Sequence, residues 1–182
     1  MVNRSTAAVA APPRSPSKLR DAPKSSPSAP ALRYDSAEQQ AYLNLWRTYD
    51  RLRALEDALF VRFDLTAQQY NILRLLRAER PGAIATLRLA ERLVSRAPDI
   101  TRMLDKLESR GWIERHRGER DRRTVRVAIA PAGVTLLRRI DKPLAECHRQ
   151  QLGHLAAGDL KQLTQLLKKA RQPHEPDNSN WR

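Results

Sequence analysis

Near the middle of the chain the hydrophobic period changes once, and Gly111 stands at the change. Before it, Ile100, Met103, Leu104 and Leu107 recur at helical spacing, which puts them on one face of a helix over 98–110. After it, 112–116 and 124–129 read as strands. In the second, Val125, Val127 and Ile129 alternate with Thr124, Arg126 and Ala128, the pattern of a half-buried strand. Gly111 suits the left-handed residue that closes a helix. The residues between the strands are polar and rich in arginine, so the strands form a hairpin with a long charged tip. A helix running straight into such a hairpin leaves few folds open.

The flanking segments are helical. Ser36-Ala-Glu-Gln39 and Thr66-Ala-Gln-Gln69 both have the form of a capping box, with a hydroxyl and a Gln three residues apart to satisfy the first free N–H groups. The first box opens a long amphipathic helix with Tyr42, Leu45, Trp46, Tyr49, Leu52, Leu55, Leu59 and Phe63 on one face. The second opens a helix carrying Tyr70, Leu73 and Leu76, ended by Arg80-Pro81-Gly82. A short helix covers about 86–93, with Leu89, Ala90 and Leu93 inward. A turn at 94–97 leads to Pro98, which fits a first helical position because its missing N–H has no partner there anyway. Beyond the hairpin, Pro131 opens a long helix through Leu136, Leu137, Ile140, Leu144 and Leu152, and a last helix carries Leu160, Leu163, Leu166 and Leu167. The fold expected is mainly α with a small β-hairpin. Helix, short turn, helix and immediate hairpin is the order of a winged helix-turn-helix lobe, here about 65–130.

Composition sets the limits of the domain. Six of the twelve prolines fall in the first thirty residues, among Ser, Ala and basic side chains. Such a stretch cannot bury enough apolar surface to offset its ordering entropy. We therefore expect a disordered basic tail over 1–35, a folded domain over 36–171, and a structureless tail over 172–182. No apolar run approaches the roughly 18 residues that span a bilayer, and Ala7–Ala11 is too short for a signal peptide. One cysteine excludes a disulfide framework and a Cys-rich zinc module. We expect a cytoplasmic protein without a membrane partner.

The formal charge is +14, from 34 Lys+Arg against 20 Asp+Glu. Such an excess favours polyanions, nucleic acid first and anionic membrane second. It is sharpest where Arg115, Arg117, Arg120, Arg122, Arg123 and Arg126 face only Glu119 and Asp121. A helix is about as wide as the DNA major groove, and a hairpin beside it reaches neighbouring phosphates or the minor groove. The helix over 98–110 leaves Asp99, Thr101, Arg102, Asp105 and Lys106 off its apolar face. Arg102 can pair bidentately with guanine, and Thr101 can touch a base edge or a phosphate. Arg96, Ala97 and Pro98, at the entry to this helix, join the DNA-facing set, as do Arg117, Arg120 and Arg122 on the hairpin.

Enzymatic readings fare poorly. His116, His148, His154 and His174 show no helical metal-ligand spacing, and the six glycines form no phosphate-cradling loop. Cys147 and His148 are adjacent, but neighbouring helical residues point about 100° apart and do not face each other. We expect no catalytic residue, no metal and no cofactor.

The stretch from Leu89 to Arg115 (LAERLVSRAPDITRMLDKLESRGWIER), then Asp121-Arg-Arg123, a strand and Pro131-Ala-Gly133 resembles the MarR family of transcriptional regulators. Leu65, Thr66 and Gln69 fit as well, and the likeness covers about 36–171. It implies a homodimer on double-stranded DNA, a recognition helix at 98–110 and a wing at 112–129. The helices over 36–63 and 131–171 would form the dimerisation region. It also implies that Thr101 and Arg102 face the groove, and that Asp121 orients Arg123 toward the minor groove. Ala130 and Ala156 depart from the pattern, which has a capping Thr and Ser there; each cap lost costs roughly 1 kcal/mol. Family members bind small aromatic or phenolic acids between the two regions. Trp46, Tyr49 and Tyr70, with Arg74 as carboxylate partner, then read as an effector pocket or, alternatively, as plain core packing. The expectation is a sequence-specific repressor on a palindromic operator. A non-specific architectural nucleic-acid binder is the alternative.

Overall fold

A computed structural model describes residues 33–94, 99–117, 124–177 and 179, with only the backbone at Arg117. Its elements are α1 (Ala37–Val61), α2 (Ala67–Ala78), β1 (Ile84–Ala85), α3 (Thr86–Glu91), α4 (Ile100–Ser109), β2 (Ile113–Arg117), β3 (Val125–Ile129), α5 (Pro131–Leu152) and α6 (Ala157–Arg171), followed by a 3-10 turn at Gln172–His174. Mainly helical with a small sheet is the fold expected.

The helix starts show how local chemistry sets boundaries. At α2 the capping box is complete: Thr66 Oγ1 accepts from the Gln69 N–H at 3.2 Å, and Gln69 Oε1 accepts from the Thr66 N–H at 3.0 Å. At α1 it is shifted by one residue. Ser36 Oγ accepts from the Gln39 N–H at 3.1 Å, but Gln39 Oε1 accepts from the Asp35 N–H at 2.7 Å. The start expected at Pro98 is also corrected. Helix α4 begins at Ile100, and Asp99 is its cap, Oδ1 accepting from the Arg102 N–H at 3.2 Å. An aspartate carboxylate satisfies that N–H, which proline cannot do. Ala130 and Ala156 do precede α5 and α6, and neither makes a side-chain cap bond.

The hairpin belongs to a three-stranded antiparallel sheet in the order β1-β3-β2. Ile113 pairs with Ile129 and Arg117 with Val125, while the two-residue β1 sets Ile84 opposite Val127. Strand β1 was not expected, because two residues carry no period. Gly111, at φ +67°, turns the chain from α4 into β2.

One apolar core joins α2, α3, α4 and the sheet to α5. Phe60, Ile72, Leu73, Leu76, Leu89, Leu104, Leu107, Ile113, Val127, Leu137 and Ile140 are fully buried; burial of each such side chain is worth about 1.5–3 kcal/mol. Polar ties also hold α5. Arg77 Nη1 donates to both Asp141 oxygens, at 3.0 and 2.9 Å, and buried Gln151 donates through Nε2 to the Leu52 carbonyl at 2.8 Å.

The apolar stripe of α1 stands largely open. Only Leu59 and Phe60 are buried, whereas Tyr42, Leu45, Trp46, Tyr49 and Leu55 are exposed. Helix α6 buries no residue within the chain. Beyond it, the structureless reading fails over 172–177. A 3-10 turn forms, Arg171 pairs with Glu175 at 3.0 Å, and Ser179 donates to Glu175 at 2.6 Å. Among the described residues no helix is long and apolar enough to cross a membrane.

Candidate nucleic-acid interface

Helix α4 has two unlike faces. Leu104 and Leu107 are buried and Ile100 and Met103 half-buried, while Thr101, Arg102, Asp105, Lys106, Glu108 and Ser109 are exposed. The Arg102 side chain is 87% exposed, with its Nε 3.4 Å from Asp99 Oδ2. Asp99 therefore both caps the helix and pairs with the arginine.

The acidic groups on this face are held by Arg115 of β2. Its Nη2 lies 2.6 Å from Asp105 Oδ1, and its Nε is 3.4 Å from Glu108 Oε2 without a hydrogen-bond partner. Arg115 shares a strand face with Ile113, which is buried. Strand alternation alone places this arginine on the inner face, a signal that the surrounding run of arginines obscures. With both carboxylates engaged, Thr101, Arg102 and Lys106 are the groups of α4 left to meet a polyanion.

Other arginines brace the lobe. Arg110 lies over the Trp112 ring at 4.9 Å, donates to the Asp64 carbonyl at 2.7 Å and pairs with the Asp64 carboxylate. Arg126 of β3 donates to the Ala83 carbonyl, and Thr86 Oγ1 donates to the Val125 carbonyl at 3.2 Å. Expectations for Arg96, Ala97 and Pro98, for the Arg117 side chain, and for Arg120, Asp121, Arg122 and Arg123 lie outside the described residues.

The four residues of the suggested effector pocket do not converge within the chain. Trp46 and Tyr49 are 60% and 58% exposed, so for them core packing within the chain is corrected too. The period of α1 groups them on one face but does not say what covers it. Tyr70 is half-buried and stacks on Phe60, ring centroids 4.8 Å apart; burial pushes its phenol up, with smaller charge effects of both signs from neighbours led by Arg77. Arg74 is exposed, donates to Asn71 Oδ1 at 2.9 Å and lines a different cleft.

Cys147 is buried on α5, and burial, with a smaller contribution from the Glu56 charge, pushes its thiol up. His148 turns away to Glu56, at 3.4 Å. Among the described residues no group of His, Cys, Asp and Glu could hold a metal ion.

The sequence model of a family described as MarR family matches residues 65–125. The multiple antibiotic resistance protein MarR of Salmonella typhimurium is 34% identical over 107 residues, 58% of this chain and 73% of that protein. The crystal structure of a MarR transcription factor from Planctomyces limnophilus is 51% identical and superposes with a TM-score of 0.61, covering 75% of this chain and 98% of that one. A mutant MarR from E. coli complexed with operator DNA is 26% identical, with a TM-score of 0.65 over 72% of this chain and 93% of that one.

Proposed function

Since the chain belongs to the MarR family of DNA-binding transcriptional regulators, we propose that it acts as a homodimer on a palindromic operator and represses by occupying it. The observation that carries this reading is the face of α4: Thr101, Arg102 and Lys106 are exposed, with Asp105 and Glu108 taken up by Arg115. An arginine so placed can read guanine O6 and N7 in the major groove. Asp121 and Arg123 at the wing tip would meet the minor groove. Relatives are named as a transcriptional regulator and a transcriptional repressor, in keeping with a protein that is not an enzyme and works in the cytoplasm.

The open stripe of α1 and the unburied α6 support the dimer. Leucines and aromatics on helices left uncovered among the described residues favour burial against a second copy. In this reading the reading lobe spans 65–130, and 36–63 with 131–171 hold the dimer together. Half-sites would then lie about one helical turn, ~10 bp, apart. A small aromatic or phenolic acid bound between the two regions would change that spacing.

Affinity for an operator recovered from bound genomic fragments, measured against a scrambled duplex at matched salt, tests the reading. A preference of about 10³-fold or more is expected; a ratio near one means an architectural binder. Light scattering at micromolar concentration should return the mass of two chains, and a monomer would overturn the dimer.

A further inference from the structure

Between the end of α2, β1, α3 and β3 lies a cleft of about 710 Å³ to which α4 contributes no residue. Its charged lining is four arginines, Arg74, Arg88, Arg92 and Arg126, and two glutamates, Glu79 and Glu91. Four positive charges less two negative leave an excess of two. The pairing shows where that excess sits. Arg88 is held by Glu91 at 2.9 Å, and Arg92 by Glu79. Arg74 and Arg126 have no carboxylate among the described residues. Arg74 donates to the neutral amide of Asn71, and Arg126 to the Ala83 carbonyl.

We propose that this cleft binds a small dicarboxylate, with one carboxylate on Arg74 and the other on Arg126. A guanidinium presents a planar fork of donors that matches a carboxylate in shape and charge. Two such forks on separate elements, in a space within the usual range for small-molecule sites, suit a ligand with two anionic ends and a carbon skeleton between. A bare inorganic anion would leave most of the volume empty. The ligand would join α2 to the wing strand β3 and so bear on the wing. The consequence for DNA rests on the proposed operator reading, but the binding itself does not.

Calorimetric titration of the full chain at constant ionic strength, without DNA, tests the proposal directly. Succinate should bind saturably, one per chain. Arg74→Gln should weaken it about tenfold or more, the worth of a charge-assisted hydrogen bond, and Arg126→Gln should do the same. Arg138→Gln, an exposed change of equal charge on α5, should leave it unaltered. Arg126→Gln also removes the tie to Ala83, so Arg74→Gln, which gives up one part-buried bond to Asn71 within the same helix, keeps the test sound if that variant unfolds. Non-saturable heats, or wild-type affinity in Arg74→Gln, would overturn the site. Inorganic phosphate binding as tightly as succinate would overturn the dicarboxylate assignment. If no small anion binds while both variants weaken DNA affinity, the cleft grips backbone phosphate and the proposal fails.

Discussion

Arg115 and Asp105 meet at 2.6 Å across the junction of β2 and α4, so the strand that follows α4 also neutralises its exposed face. Asp105 is 60% exposed, and solvent screening holds the pair to about 0.5–1 kcal/mol of stability. Asp105→Asn should therefore lower the melting temperature by only about 1–4 °C. Arg115→Ala should cost more in DNA affinity than in stability, because it leaves two carboxylates facing phosphate. Salt-series binding and calorimetry on both variants check this, and equal affinity losses would contradict it.

Arg102 and Asp99 are neighbours with separable roles. Arg102→Ala should leave the melting temperature unchanged, since the side chain is almost wholly in solvent, while costing about 1–3 kcal/mol of operator affinity and relaxing preference at one position per half-site. Asp99→Ala should remove about 1 kcal/mol of stability by uncapping α4. Binding to single-base operator variants and thermal melts distinguish the two.

Gly111 and Gly133 are glycines for different reasons. A Cβ at Gly133 would lie 2.3 Å from the Trp112 carbonyl oxygen, which accepts from the Ala130 N–H at 3.0 Å and cannot move away freely. Gly133→Ala should cost about 1–3 kcal/mol, toward the upper end. At Gly111 nothing lies within 4 Å and φ is +67°, so the cost is torsional. Gly111→Ala should lose about 1–2 kcal/mol, and Gly111→Asn less, because Asn tolerates that region. Denaturant melts of the three variants give the order.

The raised Cys147 thiol predicts slow alkylation by iodoacetamide at neutral pH, faster as pH rises. Glu56→Gln should speed it only modestly, because burial is the larger cause. With the folded thiol's pKa above its unfolded value of about 8.5, its contribution to stability is complete below that pH. It is lost as pH climbs toward the folded value. Rapid modification at pH 7 would show that the α5 core opens.

What could be read along the chain was local. The change of period at Gly111, the Thr66–Gln69 box and the two faces of α4 depend on residues within a turn of each other, and backbone sterics with nearby hydrogen bonds settle them. What escaped depends on distant partners. Strand β1 exists because β3 comes alongside Ile84 and Ala85. Arg115 finds Asp105 and Glu108 only once the hairpin folds back, and the cleft of Arg74 and Arg126 needs residues some fifty positions apart. The α1 stripe is the clearest case. Periodicity grouped Tyr42, Trp46 and Tyr49 on one face, but whether a face is buried depends on what packs against it, and among the described residues these three stay exposed.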